Sequence, residues 1–189
     1  MKNFFTFVFE VVKVVVISLA IIIPVRYFLI QPFYVKGASM EPSFYDHEYL
    51  IIDEITYRLR EPERGEIIVF KYPKDPSQYY IKRIVGLPGE KVEIKDGSVY
   101  IYTGDTQRRV ELDESYLPDG LDTLSSAEGI EELGQDEYYV LGDNRSHSKD
   151  SRSFGVVKDS FIIGRVVFRG WPLDRMGTFK IPEYSLISS

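Results

Sequence analysis

Three short segments hold the side chains best suited to chemistry. Gly37-Ala38-Ser39-Met40-Glu41-Pro42 sets a serine hydroxyl among small residues in what otherwise reads as an ordinary turn. Tyr79-Tyr80-Ile81-Lys82-Arg83-Ile84-Val85 places Lys82 in a run of apolar and aromatic residues, with Arg83 pointing to the other face of a strand. Gly142-Asp143-Asn144-Arg145-Ser146-His147-Ser148-Lys149-Asp150-Ser151-Arg152-Ser153-Phe154-Gly155 is a dense polar loop following an apolar run. A serine becomes a nucleophile when a neighbouring base takes its proton, and a lysine is such a base only when neutral. Burial on a strand face supplies that condition, and lowering a lysine pKa from about 10.4 to near 7 costs roughly 4–5 kcal/mol. Left on a solvated face, Lys82 is merely an exposed cation.

The composition narrows the alternatives. The 189 residues include no cysteine and 2 histidines, His47 and His147. A thiol nucleophile, a disulfide framework, a thiolate zinc site and a histidine-rich metal centre are therefore excluded, and no metal or cofactor is expected. His147 adjoins Ser148, but neighbours in an extended segment point apart, so both histidines read as exposed bystanders.

The elements that must position these groups begin with an apolar run over residues 4–23, interrupted only by Thr6, Glu10, Lys13 and Ser18. Twenty helical residues at about 1.5 Å each span a roughly 30 Å hydrocarbon core. A retained anchor, with a helix over about 4–28 and an anchor segment over 1–30, is the expectation. Cleavage after Ser18-Leu19-Ala20 is disfavoured because Ile21, Ile22 and Ile23 continue the run. An interfacial helix is disfavoured because the polar stripe of Lys2, Thr6, Glu10 and Lys13 stops there. Lys2 on one side and Arg26 and Lys36 on the other leave the orientation unspecified by charge. Residues 31–189 then carry short β-branched and aromatic runs between Gly and Pro, predicting strands over 33–36, 49–53, 66–72, 79–85, 91–94, 99–102, 138–141 and 161–168. Asp96-Gly97 marks a hairpin. The fold class is mainly β, one antiparallel domain behind one transmembrane helix.

The net charge of −6 is local. Between 103 and 137 eleven acids face Arg108 and Arg109, so that segment carries −9 and the remainder +3. It reads as an acidic, loop-rich excursion, and nucleic acid is not expected as a partner.

Taken in order, Ser39-Met40-x-Pro42, Lys82-Arg83-x-x-Gly86-x-Pro88-Gly89 and Gly142-Asp143-Asn144-Arg145-x-x-Ser148-x-Asp150-Ser151-Arg152-x-x-Gly155 resemble bacterial type I signal peptidases, the Ser/Lys serine proteases also called leader peptidases. The resemblance runs to Gly164-Arg165-Val166 and Trp171-Pro172. It implies that Ser39 is the nucleophile, Lys82 the general base, Ser148 the group that orients Lys82, and the Ser39 backbone N–H the oxyanion donor. Some members add a serine hydroxyl two residues before the nucleophile; here that position is Gly37, which leaves main-chain help alone. Asp143 with Arg83, and Asp150 with Arg152, are expected to support the loop. Phe33, Val35, Met40, Phe44, Tyr80 and Ile81 match positions lining two shallow substrate pockets, although core packing is an equal expectation for Phe44 and Tyr80.

The resemblance implies an endopeptidase, working through an acyl-enzyme, that removes N-terminal signal peptides from exported pre-proteins. It implies a single-pass protein of a bacterial cytoplasmic membrane with its catalytic domain outside, in contact with the lipid bilayer and with the protein export machinery. Two other readings stand beside it: a related Ser/Lys self-cleaving or regulatory protease, and a catalytically silent membrane adaptor that binds peptides.

Overall fold

The computed structural model describes residues 2–28, 31–103, 108–124, 129–179, 181–182 and 186–187. The expected boundary between anchor and domain falls at residues 29–30, outside the described residues, as does part of the acidic segment at 104–107 and 125–128. The first element is a helix, α1 (Lys2–Phe28). Its Phe4–Ile23 stretch is long and apolar enough to cross a membrane and none of it is buried against the protein.

Strands follow in the order β1 (Gln31–Tyr34), β2 (Tyr49–Asp53), β3 (Ile67–Tyr72), β4 (Asp75–Gly86), β5 (Lys91–Lys95), β6 (Ser98–Thr103), β7 (Arg108–Leu112), β8 (Ile130–Glu132) and β9 (Glu137–Leu141). A one-turn helix, α2 (Ser151–Phe154), precedes β10 (Val157–Lys158), β11 (Ile162–Trp171), β12 (Gly177–Thr178) and β13 (Leu186–Ile187). An eight-stranded sheet runs β1-β2-β11-β3-β4-β9-β10, with β12 paired to β11; a five-stranded sheet runs β13-β7-β6-β5-β8. Neighbours are antiparallel throughout.

The acidic segment departs from the loop-rich expectation, because it supplies β7 and β8 to the five-stranded sheet. The reason is visible in β7, where Val110 and Leu112 are buried while Arg109 and Glu111 are exposed. That is a strand alternation half-hidden by the surrounding charge. In the β5–β6 hairpin, Asp96 and Gly97 sit at φ 51° and 83° between the paired Lys95 and Ser98, the two positive values of a type I′ turn.

Among the described residues, three apolar clusters hold the sheets. β3 is buried on both faces: Ile67 and Val69 join Val35, Met40, Phe44, Leu50 and Ile52, while Ile68, Phe70 and Tyr72 join Ile84, Tyr138 and Val140. The third cluster ties Val85, Tyr139 and Leu141 of the larger sheet to Val92, Val99, Ile101 and Leu112 of the smaller.

Candidate active site

Ser39 lies in the turn between β1 and β2. Two tight contacts shape that turn, Glu41 N–H donating to Ala38 C=O at 3.2 Å and Phe44 N–H to Met40 C=O at 2.9 Å. Gly37 takes φ 86°, a conformation glycine adopts at no steric cost, and donates its N–H to Asp46 Oδ1 at 3.0 Å. The turn is sewn down because Met40 and Phe44 point into the first apolar cluster.

Lys82 sits opposite Ile68 in the β3–β4 register and is only 3% exposed. Its Nζ lies 2.8 Å from Ser39 Oγ and donates to Ile81 C=O, also at 2.8 Å. Burial pulls its pKa from 10.5 to about 8; Asp150 and then Asp143 act in the opposite sense and recover part of the loss. An amine so placed is substantially neutral at mildly alkaline pH and within proton-transfer distance of a serine hydroxyl.

Loop 142–155 leaves β9 and closes on the same turn. Asn144 donates its backbone N–H to Ser39 C=O at 3.1 Å and its side-chain amide to Ala38 C=O at 3.0 Å. Arg83 grips Asp143 through two hydrogen bonds of 2.9 and 2.7 Å, and Asp143 accepts a 2.5 Å bond from the Ser43 hydroxyl. Asp150 accepts from Gly142 N–H at 3.0 Å and is held by Arg152 at 2.8 Å. Arg145, buried, donates to Gly142 C=O, Glu114 and Thr123. Gly142 is a close-approach glycine, since a Cβ there would collide with the Ser148 side chain and come within 2.5 Å of Ser39 O. The Ser148 hydroxyl is buried against this spot and has no hydrogen-bond partner among the described residues.

A cleft of about 740 Å³ opens over Ser39 and Lys82, walled by Phe33, Val35, Tyr80 and Ile81, with Lys36, His147 and Lys149 also lining it. β9 pairs with β4 only from Arg83 onward, so among the described residues no strand pairs with Tyr79–Lys82 on that edge. Among the described residues, no group of three or more acids or histidines is placed to hold a metal ion.

Residues 8–171 match the family model described as signal peptidase, peptidase S26. The chain belongs to the signal peptidase family. Its relatives include a probable signal peptidase I-2 of Synechocystis sp., 38% identical over 175 residues that make up 89% of this chain and 75% of the relative. Signal peptidase IB of Staphylococcus aureus is 33% identical over 184 residues, 89% of this chain and 92% of the relative. A crystal structure of a signal peptidase I from Enterococcus faecalis matches with TM-score 0.45 and 32% identity, covering 56% of this chain and 97% of that one. With α1 the chain carries a helix long and apolar enough to anchor a member of this family in a membrane.

In this signal peptidase family member, Lys82 meets Ser39, and the pairs Arg83–Asp143 and Asp150–Arg152 form; the Ser148 side chain lies against Gly142 beside the Ser39 carbonyl, but the hydrogen bond expected from it to Lys82 is not made among the described residues. Phe33, Val35, Tyr80 and Ile81 line the cleft, whereas Met40 and Phe44, expected with them, do not. Both are 1% exposed or less, because the turn that carries Ser39 needs apolar anchors beneath it. His147 is exposed and bonded to Ser146, and His47 is exposed beside Asp46, 3.0 Å away. Reading the sequence missed the contacts of Asn144 and Ser43, although both stand within or beside the quoted motifs. It also missed Glu48, Arg169 and Arg175, for which spacing offers no signal.

Proposed function

We propose that this chain removes signal peptides from exported pre-proteins with Ser39 as nucleophile and Lys82 as general base. The observation that carries the reading is the 2.8 Å approach of a buried amine, its pKa lowered to about 8, to a serine hydroxyl on the floor of an open cleft. Ser39 Oγ attacks the scissile carbonyl as Nζ takes its proton. The Ser39 backbone N–H stabilises the oxyanion, and Lys82 returns the proton to the departing amine. Lys82 then takes a proton from water as the water oxygen attacks the acyl-enzyme, and passes that proton to Ser39 Oγ as the acyl–Oγ bond breaks and the signal peptide leaves with a new carboxylate. One N–H of the neutral amine is spent on Ile81 C=O; in this reading the other is taken up by the Ser148 hydroxyl, which has no hydrogen-bond partner among the described residues, as the base engages substrate. Arg83–Asp143 and Asp150–Arg152 keep the loop in place.

The substrate lies as an added strand along the free edge of β4, with small side chains entering the shallow walls formed by Phe33, Val35, Tyr80 and Ile81. Because β1 begins within a few residues of α1, the cleft is held near the bilayer surface, where a spanning signal peptide emerges. We place the catalytic domain on the outer side of a bacterial cytoplasmic membrane, beside the export machinery.

The test is cleavage of a purified pre-protein by the full chain in detergent. Ser39→Ala and Lys82→Ala should each lower kcat by about 10³-fold or more. Full activity in either variant overturns the assignment. A serine-directed covalent probe that labels the unmodified chain at Ser39 further separates an enzyme from a peptide-binding adaptor.

A further inference from the structure

A second charged cluster touches the turn that carries Ser39. Glu48, 2% exposed, faces two arginines that come from the far end of the chain. Arg169 of β11 reaches its carboxylate at 3.1 and 3.0 Å, and Arg175 reaches it at 2.7 Å. Both arginines also donate to main-chain carbonyls of the turn: Arg169 Nη1 to Ser43 C=O at 3.1 Å, and Arg175 Nη2 to Pro42 C=O at 3.3 Å. Arg169 Nε donates to Arg175 C=O at 2.8 Å, which locks the two arginines together. Their planes are set by aromatic rings, Arg169 lying over Phe44 and Phe179 and Arg175 over Tyr45.

A buried ion cluster is weak evidence for stability, since apolar residues of similar volume often stabilise as well or better. What distinguishes this one is where its donors point. Ser43 is held twice, its hydroxyl by Asp143 and its carbonyl by Arg169. Residues 38–44 form so tight a turn that a displacement at Pro42 or Ser43 passes to Ser39 through the Ala38–Glu41 and Met40–Phe44 bonds. Misplacement of a reacting atom by about 1 Å can cost 10²-fold in rate.

We propose that Glu48, Arg169 and Arg175 are positioning residues for the nucleophile: they fix the carbonyls of Pro42 and Ser43 and so aim Ser39 Oγ at the substrate. The proposal rests on Ser39 being the nucleophile. Glu48 supplies the charge that holds both guanidinium groups, and Arg175, partly exposed, is the member whose loss least disturbs the core.

The test uses the full chain in detergent and a pre-protein substrate, with kcat, KM, pH profile and thermal unfolding measured for Glu48→Gln, Arg175→Ala and Arg175→Lys. Glu48→Gln should lower kcat about 10–100-fold and Arg175→Ala about 3–10-fold, with KM changed less than about twofold. Arg175→Lys should recover part of the loss, because an ammonium can still reach Glu48 or Pro42 C=O. The acidic limb near pH 8 should stay in place, since neither residue touches Lys82. Because Glu48→Gln is buried and risks misfolding, Arg175→Ala decides the matter at temperatures where unfolding curves show it folded. An unchanged kcat in Arg175→Ala, a loss confined to KM, or a shifted acidic limb overturns the proposal. If Ser39→Ala is inactive in the same assay, the nucleophile assignment survives that outcome; if Ser39→Ala is active, that assignment falls and the proposal with it.

Discussion

On strands β5, β6 and β7 of the five-stranded sheet the buried side chains are Val92, Val99, Ile101, Val110 and Leu112, all apolar, while their neighbours in sequence face outward. The eight-stranded sheet and the loop that leaves it bury Lys82, Arg83, Asp143, Arg145 and Asp150. Most of those charges are matched, Arg83 with Asp143, Arg145 with Glu114 and Asp150 with Arg152. Lys82 is different: it bonds to a hydroxyl and a carbonyl, and burial outweighs its attraction to Asp150 and Asp143. One sheet follows the ordinary rule of apolar burial, and the other breaks it at the group proposed to take the proton. A buried cation with a depressed pKa is a cost to folding, tolerated where it does chemistry.

The sharpest way to break this contrast is to replace that cation. Lys82→Met should lower the cleavage rate about 10³-fold or more while making the protein more stable at neutral pH. The sign follows from the lowered pKa. Below about 8 the native state carries the buried charge and the penalty is fully present; between about 8 and the unfolded value of 10.5 the native state binds fewer protons and the penalty fades. Urea unfolding at pH 7 should show a gain of up to about 3 kcal/mol for Lys82→Met, shrinking towards pH 10. In the unmodified protein, kcat/KM should fall about tenfold per pH unit below pH 8. Ile101→Ala in the other sheet should do the reverse, losing about 2–5 kcal/mol while each folded molecule keeps its rate. A Lys82→Met variant no more stable than its parent at pH 7 would mean that the amine pays no burial cost.

The next effect in size concerns the matched charges. Asp143→Ala leaves Arg83 buried without its carboxylate and frees the Ser43 hydroxyl, so it should cost about 3–5 kcal/mol and reduce activity as well. Equal unfolding midpoints for Asp143→Ala and the unmodified chain would show that Arg83 finds another partner. Glu114→Ala should be milder, about 2 kcal/mol by the cost of an imperfectly paired buried donor, because Arg145 keeps Thr123 and Gly142 C=O.

Glu114 also shows why some of the site was legible and some was not. Ser39, Lys82 and Ser148 could be picked out because each chemistry needs a particular residue type and because three ordered motifs surround them. The strands at 49–53, 91–94, 99–102 and 138–141 were readable from short β-branched and aromatic runs. The acidic segment was not, because period-two burial in β7 rests on just Val110 and Leu112 amid charge, and because Glu114 and Thr123 reach the site through Arg145, more than twenty residues away. Glu48 with Arg169 was hidden for the same reason, since the bond joins residues 121 apart in sequence. Met40 and Phe44 were misplaced because an apolar residue beside the proposed nucleophile fits a pocket wall and a turn anchor equally well, and only the packing beneath the turn decides.

The smallest expected effect tests whether the five-stranded sheet is a scaffold and nothing more. Gly97 sits at φ 83°, where a side chain costs about 1–2 kcal/mol, and an added Cβ would also press on the Asp122 carboxylate, which can swing away. Gly97 C=O accepts from Thr123 N–H at 2.7 Å, and Thr123 in turn holds Arg145, so a chain of contacts does run from this hairpin to the loop beside Ser39. Arg145 is fixed as well by Glu114 and Gly142 C=O, and the strain of Gly97→Ala can relax into the two-residue turn at the end of the β5–β6 hairpin. Gly97→Ala should therefore lower the unfolding free energy by about 1–2 kcal/mol and leave kcat within twofold. A larger fall in kcat, with the protein fully folded, would show that the apolar sheet helps to set the geometry of the charged one.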